Sequence, residues 1–226
     1  MNIFALDTST EYLSLALWRD GAVLSRDQHV GQRHAELMLP MLRALLDEAG
    51  MELKEFQGIA FGEGPGSFTG LRIGCGVAQG LAFGAGLSVV GIGTLLALAA
   101  SSGHDKVIAC IDARMGEIYH AAYVRDSEGW DEIHAPALYA PQAAPAVDGE
   151  GWVGAGSGWL AYPEALPQCY PNQLSEVLPD VFPHAREVAA LAVPVFGRGE
   201  SVAAAEAAPL YIRNKVALKM DERAKR

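Results

Sequence analysis

The residues best placed to do chemistry lie in a glycine-rich segment, 62–70, which joins a predicted strand to a predicted helix. Backbone N–H groups at such a junction, together with the helix dipole, commonly bind phosphate. The segment is incomplete as a Walker A loop, because Leu71 and Arg72 follow Gly70 where Lys and Ser or Thr are needed. The Rossmann spacing also fails, since Thr69 stands where the third glycine belongs.

Four residues are nevertheless candidates for a phosphate site. Gly64, Gly66 and Ser67 belong to the glycine-rich segment, for which a structural turn is at least an equally good explanation. Asp7 ends the first predicted strand and could orient a metal ion or a water near a phosphate. An aspartate at a strand end also commonly accepts hydrogen bonds from turn N–H groups, so both interpretations of Asp7 stay open.

Other catalytic patterns are missing from the sequence. Neither Ser67 nor Ser157 lies in Gly-x-Ser-x-Gly, because Pro65 and Ala155 occupy the first position of that motif. The six histidines form neither His-x-x-x-His nor His-Glu-x-x-His, the arrangements that place two imidazoles on one helical face for zinc. We therefore predict no catalytic residue and no metal site.

Charge and cysteine content restrict the functional class. The net charge of −10 disfavours unaided binding of nucleic acid. Residues 213–226 contain six basic and two acidic residues, a run that is either simply solvated or docks on an acidic partner or RNA. Three scattered cysteines without a Cys-x-x-Cys pair, and an N-terminus that enters a strand directly, lead us to expect a cytoplasmic protein.

The uncharged stretch 73–102 raises the question of a membrane span. Its many glycines, and a break at Gly84-Ala85-Gly86, predict two buried elements instead of one span.

Hydrophobic periodicity predicts an α/β protein. The predicted elements in the first half are strands at 2–7, 12–18 and 22–30, a helix at 33–48, a strand at 57–61, a helix at 69–84 and a strand at 87–92. Later elements are a strand at 152–154, a helix at 185–196 and an extended segment at 210–212.

The second half of the chain repeats the first. Residues 111–126 align with residues 6–20, and both copies run strand, Asp, turn, strand, Arg-Asp, turn. Any two hairpins of α/β proteins resemble each other, which is the alternative explanation. We predict two related domains, 1–103 and 104–213, followed by a basic C-terminal tail at 214–226.

Two helices carry more apolar surface than one core requires. On a helical wheel, apolar residues cover more than half of helix 33–48. In the next helix, glycines at a spacing of four form a smooth stripe, although each costs roughly 1 kcal/mol relative to alanine. Internal packing explains the glycines but not the second apolar arc of the first helix. We therefore predict a partner interface on both helices, formed by His34, Leu37, Met41, Leu45, Arg72, Gly76, Gln79, Gly80 and Phe83.

Five segments together resemble the bacterial TsaB (YeaZ) family. They are Ala5–Thr10, Gly62–Gly74, Ala78–Ala82, Ile111–Glu117 and Pro209–Arg213. The resemblance implies an actin-like ASKHA (ribonuclease H-like) fold with two related domains, each a mixed sheet flanked by helices. It also implies an accessory role in making threonylcarbamoyladenosine beside the anticodon of tRNAs that read codons beginning with A.

The same resemblance implies the partners. In that family the catalytic paralogue TsaD carries the metal-binding His-x-x-x-His and the nucleotide site, whereas here His34 is followed by Met38. TsaD would bind the first two helices, and TsaE would join the assembled pair. The isolated chain would self-associate through the same helices, contact tRNA only indirectly and bind no cofactor of its own, with a nucleotide at the TsaD interface left open.

Two other functions remain as alternatives. One is an ASKHA-type ATPase or kinase that acts alone through Asp7 and the 62–70 segment. The other is a peptidase, which the missing metal pair and nucleophile elbow disfavour.

Overall fold

The computed structural model describes residues 1–213. The strands are β1 Asn2–Asp7, β2 Tyr12–Arg19, β3 Ala22–His29, β4 Gly58–Gly64, β5 Ser88–Gly93, β6 Lys106–Arg114, β7 Glu117–Arg125, β8 Trp130–Tyr139, β9 Trp152–Ala155, β10 Leu174–Leu178 and β11 Val202–Ala203. The helices are α1 His34–Ala49, α2 Phe68–Ala85, α3 Thr94–Ser101, α4 Ser157–Ala161, α5 Ala165–Gln168 and α6 Ala185–Gly197. Short 3-10 helices lie at Leu53–Glu55, Pro141–Ala143 and Ala204–Glu206.

The strands form two sheets with the same topology. The first has the order β11-β5-β4-β1-β2-β3 and the second the order β10-β9-β6-β7-β8. In each sheet the first three strands along the chain pair antiparallel, and the next two add in parallel on the other side. The repeated hairpin of the sequence is therefore the start of two equivalent sheets, and the predicted α/β fold with two related halves is confirmed.

Helices cover both faces of the first sheet. On one face α1 and α2 bury Met38, Leu45 and Ala78 against Phe4 and Leu15, among others. On the other face α6 packs its alanines and Val188 against small strand residues such as Ala5, Ala16 and Ala60. The alanines let the helix approach the sheet closely, so this core is built from many small contacts.

The uncharged stretch 73–102 contains three elements instead of the two predicted. The segment after β5 forms α3, which packs between the sheets with Leu95 and Leu98 against Val107 and Ile111. A helix that is apolar on every side has no amphipathic period to reveal it, because both of its faces are buried. Within residues 1–213, none of the helices has both the length and the hydrophobicity to cross a bilayer.

The change from one sheet to the other lies near residue 104, between α3 and β6. The segment 104–213 nevertheless does not belong wholly to the second sheet. After β10 the chain returns, since α6 covers the first sheet and β11 pairs with β5. The first domain is therefore completed by residues from the end of the chain, which a simple division at 103 does not describe.

Candidate functional site

Asp7 is buried in the structure and does not face solvent. Its Oδ1 accepts hydrogen bonds from the N–H of Ser9 at 2.9 Å and from the Ser9 hydroxyl at 2.7 Å. Its Oδ2 has no hydrogen-bond partner among residues 1–213, and burial raises the pKa of this carboxyl to about 6. A Cβ added at Gly62 would lie 1.9 Å from Oδ2. The carboxylate is therefore packed under β4.

The glycines around this aspartate are needed for close packing. A Cβ at Gly66 would lie 2.5 Å from the Ser9 carbonyl oxygen, and one at Gly70 would lie 2.0 Å from that of Thr8. At Gly64 a Cβ would meet the carbonyl oxygen of Leu210 at 2.5 Å. A side chain at any of these positions would collide with a backbone oxygen, so packing inside the chain is sufficient to explain the three glycines. Of the two explanations that the sequence left open, the structural turn is the one that the packing supports.

Ser67 is the N-cap residue of α2. Its Oγ accepts a hydrogen bond from the N–H of Gly70 at 3.3 Å, and its carbonyl oxygen accepts the first helical bond from Leu71. β4 continues to Gly64, so the loop before α2 is shorter than the predicted 62–70 segment.

A cleft of about 880 Å³ separates the two domains. Gly66 and Ser67 lie on its wall, but Asp7 does not. Contacts between residues of its two walls include an ion pair and a ring stack. Arg114 pairs with Glu11 at 3.1 Å, and the ring of Phe182 stacks on that of Tyr12 with centroids 3.7 Å apart. The rim is partly apolar, with exposed side chains of Phe68, Met115, Leu160, Leu210 and Tyr211.

The outer face of α2 is open. A Cβ at Gly76, Gly80 or Gly84 would meet no atom within 4 Å among the described residues. Phe83 lies beside this glycine stripe, and 83% of its surface is exposed. A large exposed aromatic residue on a helix face without bulky neighbours leaves an apolar patch in contact with water. We call the patch formed by Gly76, Gly80, Phe83 and Gly84 the α2 stripe.

Helix α1 corrects part of the predicted interface. Leu45 is fully buried in the core of the first domain, and His34 is 4% exposed, with its Nε2 3.1 Å from the carbonyl oxygen of Tyr12. Neither residue is accessible to a partner. Leu37 and Met41 are partly buried against the same core, while Leu39, which was not predicted, is 54% exposed. A helical wheel fixes relative angles only, so it could not tell which of the two apolar arcs faced the sheet.

Arg72 and Gln79 contact a segment that the sequence did not connect with α2. Gln79 Nε2 donates a hydrogen bond to the carbonyl oxygen of Ala207 at 2.8 Å, and Arg72 Nε donates to the Tyr211 hydroxyl at 2.9 Å. The extended segment predicted at 210–212 thus lies beside the predicted interface. No periodicity could reveal this, because the contacts join residues more than 120 positions apart.

The structure was also searched for metal ligands. No group of three or more His, Cys, Asp or Glu side chains within residues 1–213 is arranged to hold a metal ion. The basic tail predicted at 214–226 lies outside the described residues.

Comparison with known proteins places this geometry in a family. A family model described as TsaD, tRNA N6-adenosine threonylcarbamoyltransferase, matches residues 27–217. The tRNA threonylcarbamoyladenosine biosynthesis protein TsaB of Escherichia coli K12 is 40% identical over 231 residues, which cover 97% of both chains. The chain belongs to the TsaB (YeaZ) family.

Further relatives agree with this family. TsaB of Haemophilus influenzae is 34% identical over 232 residues, covering 97% of this chain and 96% of its own length. The structure of YeaZ from Pseudomonas aeruginosa, 40% identical, superposes with a TM-score of 0.86 over 93% of this chain and 99% of that chain. The TsaB resemblance and the ASKHA-like α/β fold expected from it are both confirmed.

Proposed function

We propose that this TsaB-family chain is a non-catalytic subunit that binds TsaD through α1 and α2. In this role it supports transfer of a threonylcarbamoyl group to the adenosine next to the anticodon of tRNAs that read codons beginning with A. The observation that carries the proposal is the α2 stripe. On this helix face, three glycines spaced by four residues and the side chain of Phe83 are exposed to solvent. The relatives of the chain are named as proteins of tRNA threonylcarbamoyladenosine biosynthesis.

The α2 stripe is suited to a second helix. Each glycine in the middle of a helix costs roughly 1 kcal/mol relative to alanine. At Gly70 and Gly74 the neighbouring backbone or side chain of Thr8 explains that cost, but nothing within residues 1–213 does so at Gly76, Gly80 and Gly84. A partner helix lying along the stripe would gain close backbone contact, and Phe83 beside it would supply a large buried side chain.

The absence of catalysis by this chain alone is part of the proposal. Two of the candidate catalytic residues have structural roles, which supports this part of the proposal. Asp7 is packed against Gly62, and Ser67 caps α2. The ATPase or kinase alternative depends on Asp7 reaching a nucleotide in the cleft, which the buried position of its carboxyl disfavours. Calorimetric titration of the isolated chain with Mg-ATP tests this point, and hydrolysis that is lost in Asp7→Ala would overturn our proposal.

The remaining partners follow from the same role. TsaE would join the assembled TsaB–TsaD pair, tRNA would be held mainly by the partner, and a nucleotide could be enclosed where the subunits meet. Without TsaD, the exposed α2 stripe would pair with a second copy of this chain, which buries the same apolar surface. No cofactor bound by this chain alone is proposed.

The decisive experiment enlarges one position of the stripe. Gly80→Leu adds a side chain where no neighbour lies within 4 Å, so folding is unaffected while a partner helix is blocked. Ala190→Leu is the matched control, because Ala190 is also exposed but lies on α6, on the other side of the sheet. We expect Gly80→Leu to lose co-purification with TsaD and to lose tRNA threonylcarbamoylation in a reconstituted system, whereas the control keeps both.

Two outcomes would contradict the proposal. One is normal TsaD binding by Gly80→Leu, which would exclude the α2 stripe as the interface. The other is full threonylcarbamoylation in a reconstituted system from which this chain is omitted, which would exclude the supporting role itself.

A further inference from the structure

Residues 207–213, which we call the C-terminal strap, are bonded along the first domain. The carbonyl oxygen of Ala207 accepts hydrogen bonds from Gln79 Nε2 at 2.8 Å and from the Cys75 thiol at 3.5 Å. The N–H of Leu210 donates to the carbonyl oxygen of Glu63 at 2.7 Å. The strap therefore runs beside α2 toward the end of β4.

At Tyr211 the strap meets the proposed partner face. Arg72 Nε donates to the Tyr211 hydroxyl at 2.9 Å, and the guanidinium lies 3.8 Å above the centre of the Phe68 ring. The rings of Phe68 and Tyr211 have their centroids 5.5 Å apart. Arg72 is exposed and lies one helical turn before Gly76. A partner on the α2 stripe would consequently lie against the side chain that holds the strap.

The end of the strap is bonded to the second domain. Arg213 Nη2 donates to Glu117 Oε2 at 2.5 Å and to the carbonyl oxygen of Arg114 at 3.4 Å. The side chain of Arg213 is only 13% exposed. It contacts the β6–β7 turn, where Arg114 and Met115 have the left-handed φ values of 61° and 59° that residues other than glycine rarely adopt.

The strap thus spans the cleft with one bonded end on each domain. Ala207, Leu210 and Tyr211 are held by the first domain and Arg213 by the second, and Leu210, Tyr211 and Arg213 all line the cleft. A change in the separation of the domains must stretch or release one of these ends.

We propose that the C-terminal strap couples the TsaD-binding face of α2 to the interdomain cleft, so that TsaD bound beside Arg72 holds the two domains in the arrangement described above. This inference depends on the proposed function, because the partner is TsaD. Coupling between two sites is reciprocal. If bound TsaD stabilises the contact of the strap with the second domain, then loosening that contact must weaken TsaD binding by the same free energy.

The test breaks the strap at the end that is distant from α2. Glu117→Gln removes the charge that holds Arg213 but changes no residue of α1 or α2. Asp105→Asn is the matched control, because it removes another ion pair of the second domain, that with Arg125, which has no contact with the strap. Affinity for TsaD is measured by calorimetry, and amide hydrogen exchange is followed in residues 207–213 with and without TsaD.

We expect Glu117→Gln to speed exchange in the strap of the free protein and to weaken TsaD binding by about fivefold or more, a usual size for coupled sites. Asp105→Asn should change neither quantity by more than about twofold. TsaD should slow strap exchange in the unaltered protein. Unchanged TsaD affinity in Glu117→Gln would overturn the coupling, whether or not exchange in the strap becomes faster.

A second experiment uses the protein without TsaD. It distinguishes failure of the coupling from failure of the proposed function. Strap exchange is compared among Arg72→Gln, Glu117→Gln and the double variant. If the strap links α2 to the second domain, releasing either end also loosens the other, and the effects of the two substitutions are not additive. Additive effects would overturn the coupling. If the unaltered chain fails to bind TsaD while this cycle is non-additive, the proposed function is wrong and the intramolecular link stands.

Discussion

Two groups of glycines in the same stretch of chain have opposite surroundings. Gly62, Gly66 and Gly70 face the end of β1 and the turn after it so closely that a Cβ on any of them would lie within 2.5 Å of an oxygen atom. Gly76, Gly80 and Gly84, only a few residues later, face nothing within 4 Å among the described residues. Packing inside the chain explains why the first three positions are glycine. It gives no reason for glycine at the other three.

The contrast teaches that glycine content alone does not identify a phosphate loop or an interface. In the first group, glycine is required because the helix and the strand end approach each other with no room for a side chain. In the second group any small residue would fit the isolated chain, and alanine would favour the helix. No contact within residues 1–213 requires glycine at these three positions, whereas a partner helix lying along them would.

The largest expected effect is at Gly70. Gly70→Ala places a methyl group 2.0 Å from the carbonyl oxygen of Thr8, and a backbone oxygen cannot rotate away. We expect a loss of about 3 kcal/mol in the free energy of unfolding, because overpacking at a rigid contact moves the backbone. Urea unfolding measures this loss. A change below about 0.5 kcal/mol would mean that the contact is loose and that the two groups of glycines do not differ.

A smaller effect concerns the carboxyl that the first group encloses. Burial raises the pKa of Asp7 from 3.8 to about 6, so the fold favours the protonated form. The stabilising contribution is fully present below pH 3.8 and is lost as the pH rises through 6.

Asp7→Asn removes this titration. Between pH 4 and pH 8, the unaltered protein should therefore lose about 2 kcal/mol more of its unfolding free energy than Asp7→Asn does. Urea unfolding of both proteins across this range provides the measurement. Parallel pH profiles would show that burial does not raise the pKa of Asp7.

The next effect has the opposite sign. Gly80→Ala should raise the unfolding free energy by about 1 kcal/mol, because alanine is the better helix former and no neighbour lies in its way. Gly76→Ala should behave in the same manner. Thermal unfolding compares these variants with Gly70→Ala. Destabilisation at Gly80 would reveal an intrachain contact and weaken the case for the α2 stripe as an interface.

The smallest effect on stability is expected at Phe83. Its side chain is 83% exposed, so Phe83→Ser should change the unfolding free energy by less than about 0.5 kcal/mol. If TsaD binds the α2 stripe as proposed, affinity for TsaD, measured by calorimetry, should fall strongly in the same variant, because the complex would lose an aromatic anchor. Stability and binding would then separate at this residue. A substantial loss of stability would assign Phe83 to the fold.

Much of the fold was predictable because it depends on local patterns. The alternating strands of the first sheet and the two long helices follow from hydrophobic period, and their bounds differ from the prediction by at most about three residues. Helix α3 was missed because it is buried on all sides, and β11 because a two-residue strand has no period. The return of α6 to the first sheet is a tertiary contact, which no local pattern encodes.

The site was predicted less completely. The sequence correctly indicated that α2 has an exposed small-residue face, because a run of glycines without polar neighbours is unusual in a helix. It placed Leu45 on the surface because two apolar arcs looked equivalent on the wheel, and only the position of the sheet distinguishes them. His34, predicted in the same interface, is buried as well. The roles of Tyr211 and Arg213 depend on contacts with distant residues, and no local pattern reveals these contacts.

The return of the chain to its first sheet also sets an order of events during synthesis. Ala185, Val188, Ala189 and Ala192 cover the face of the sheet that carries Ile3, Ala5 and Ala60, yet the ribosome makes them more than a hundred residues later. Until α6 emerges, α3 with Ala97 is the only described helix that can pack on that face, although all five main strands of the sheet already exist. The nascent first domain must therefore wait for the second to be translated before it can close its own core.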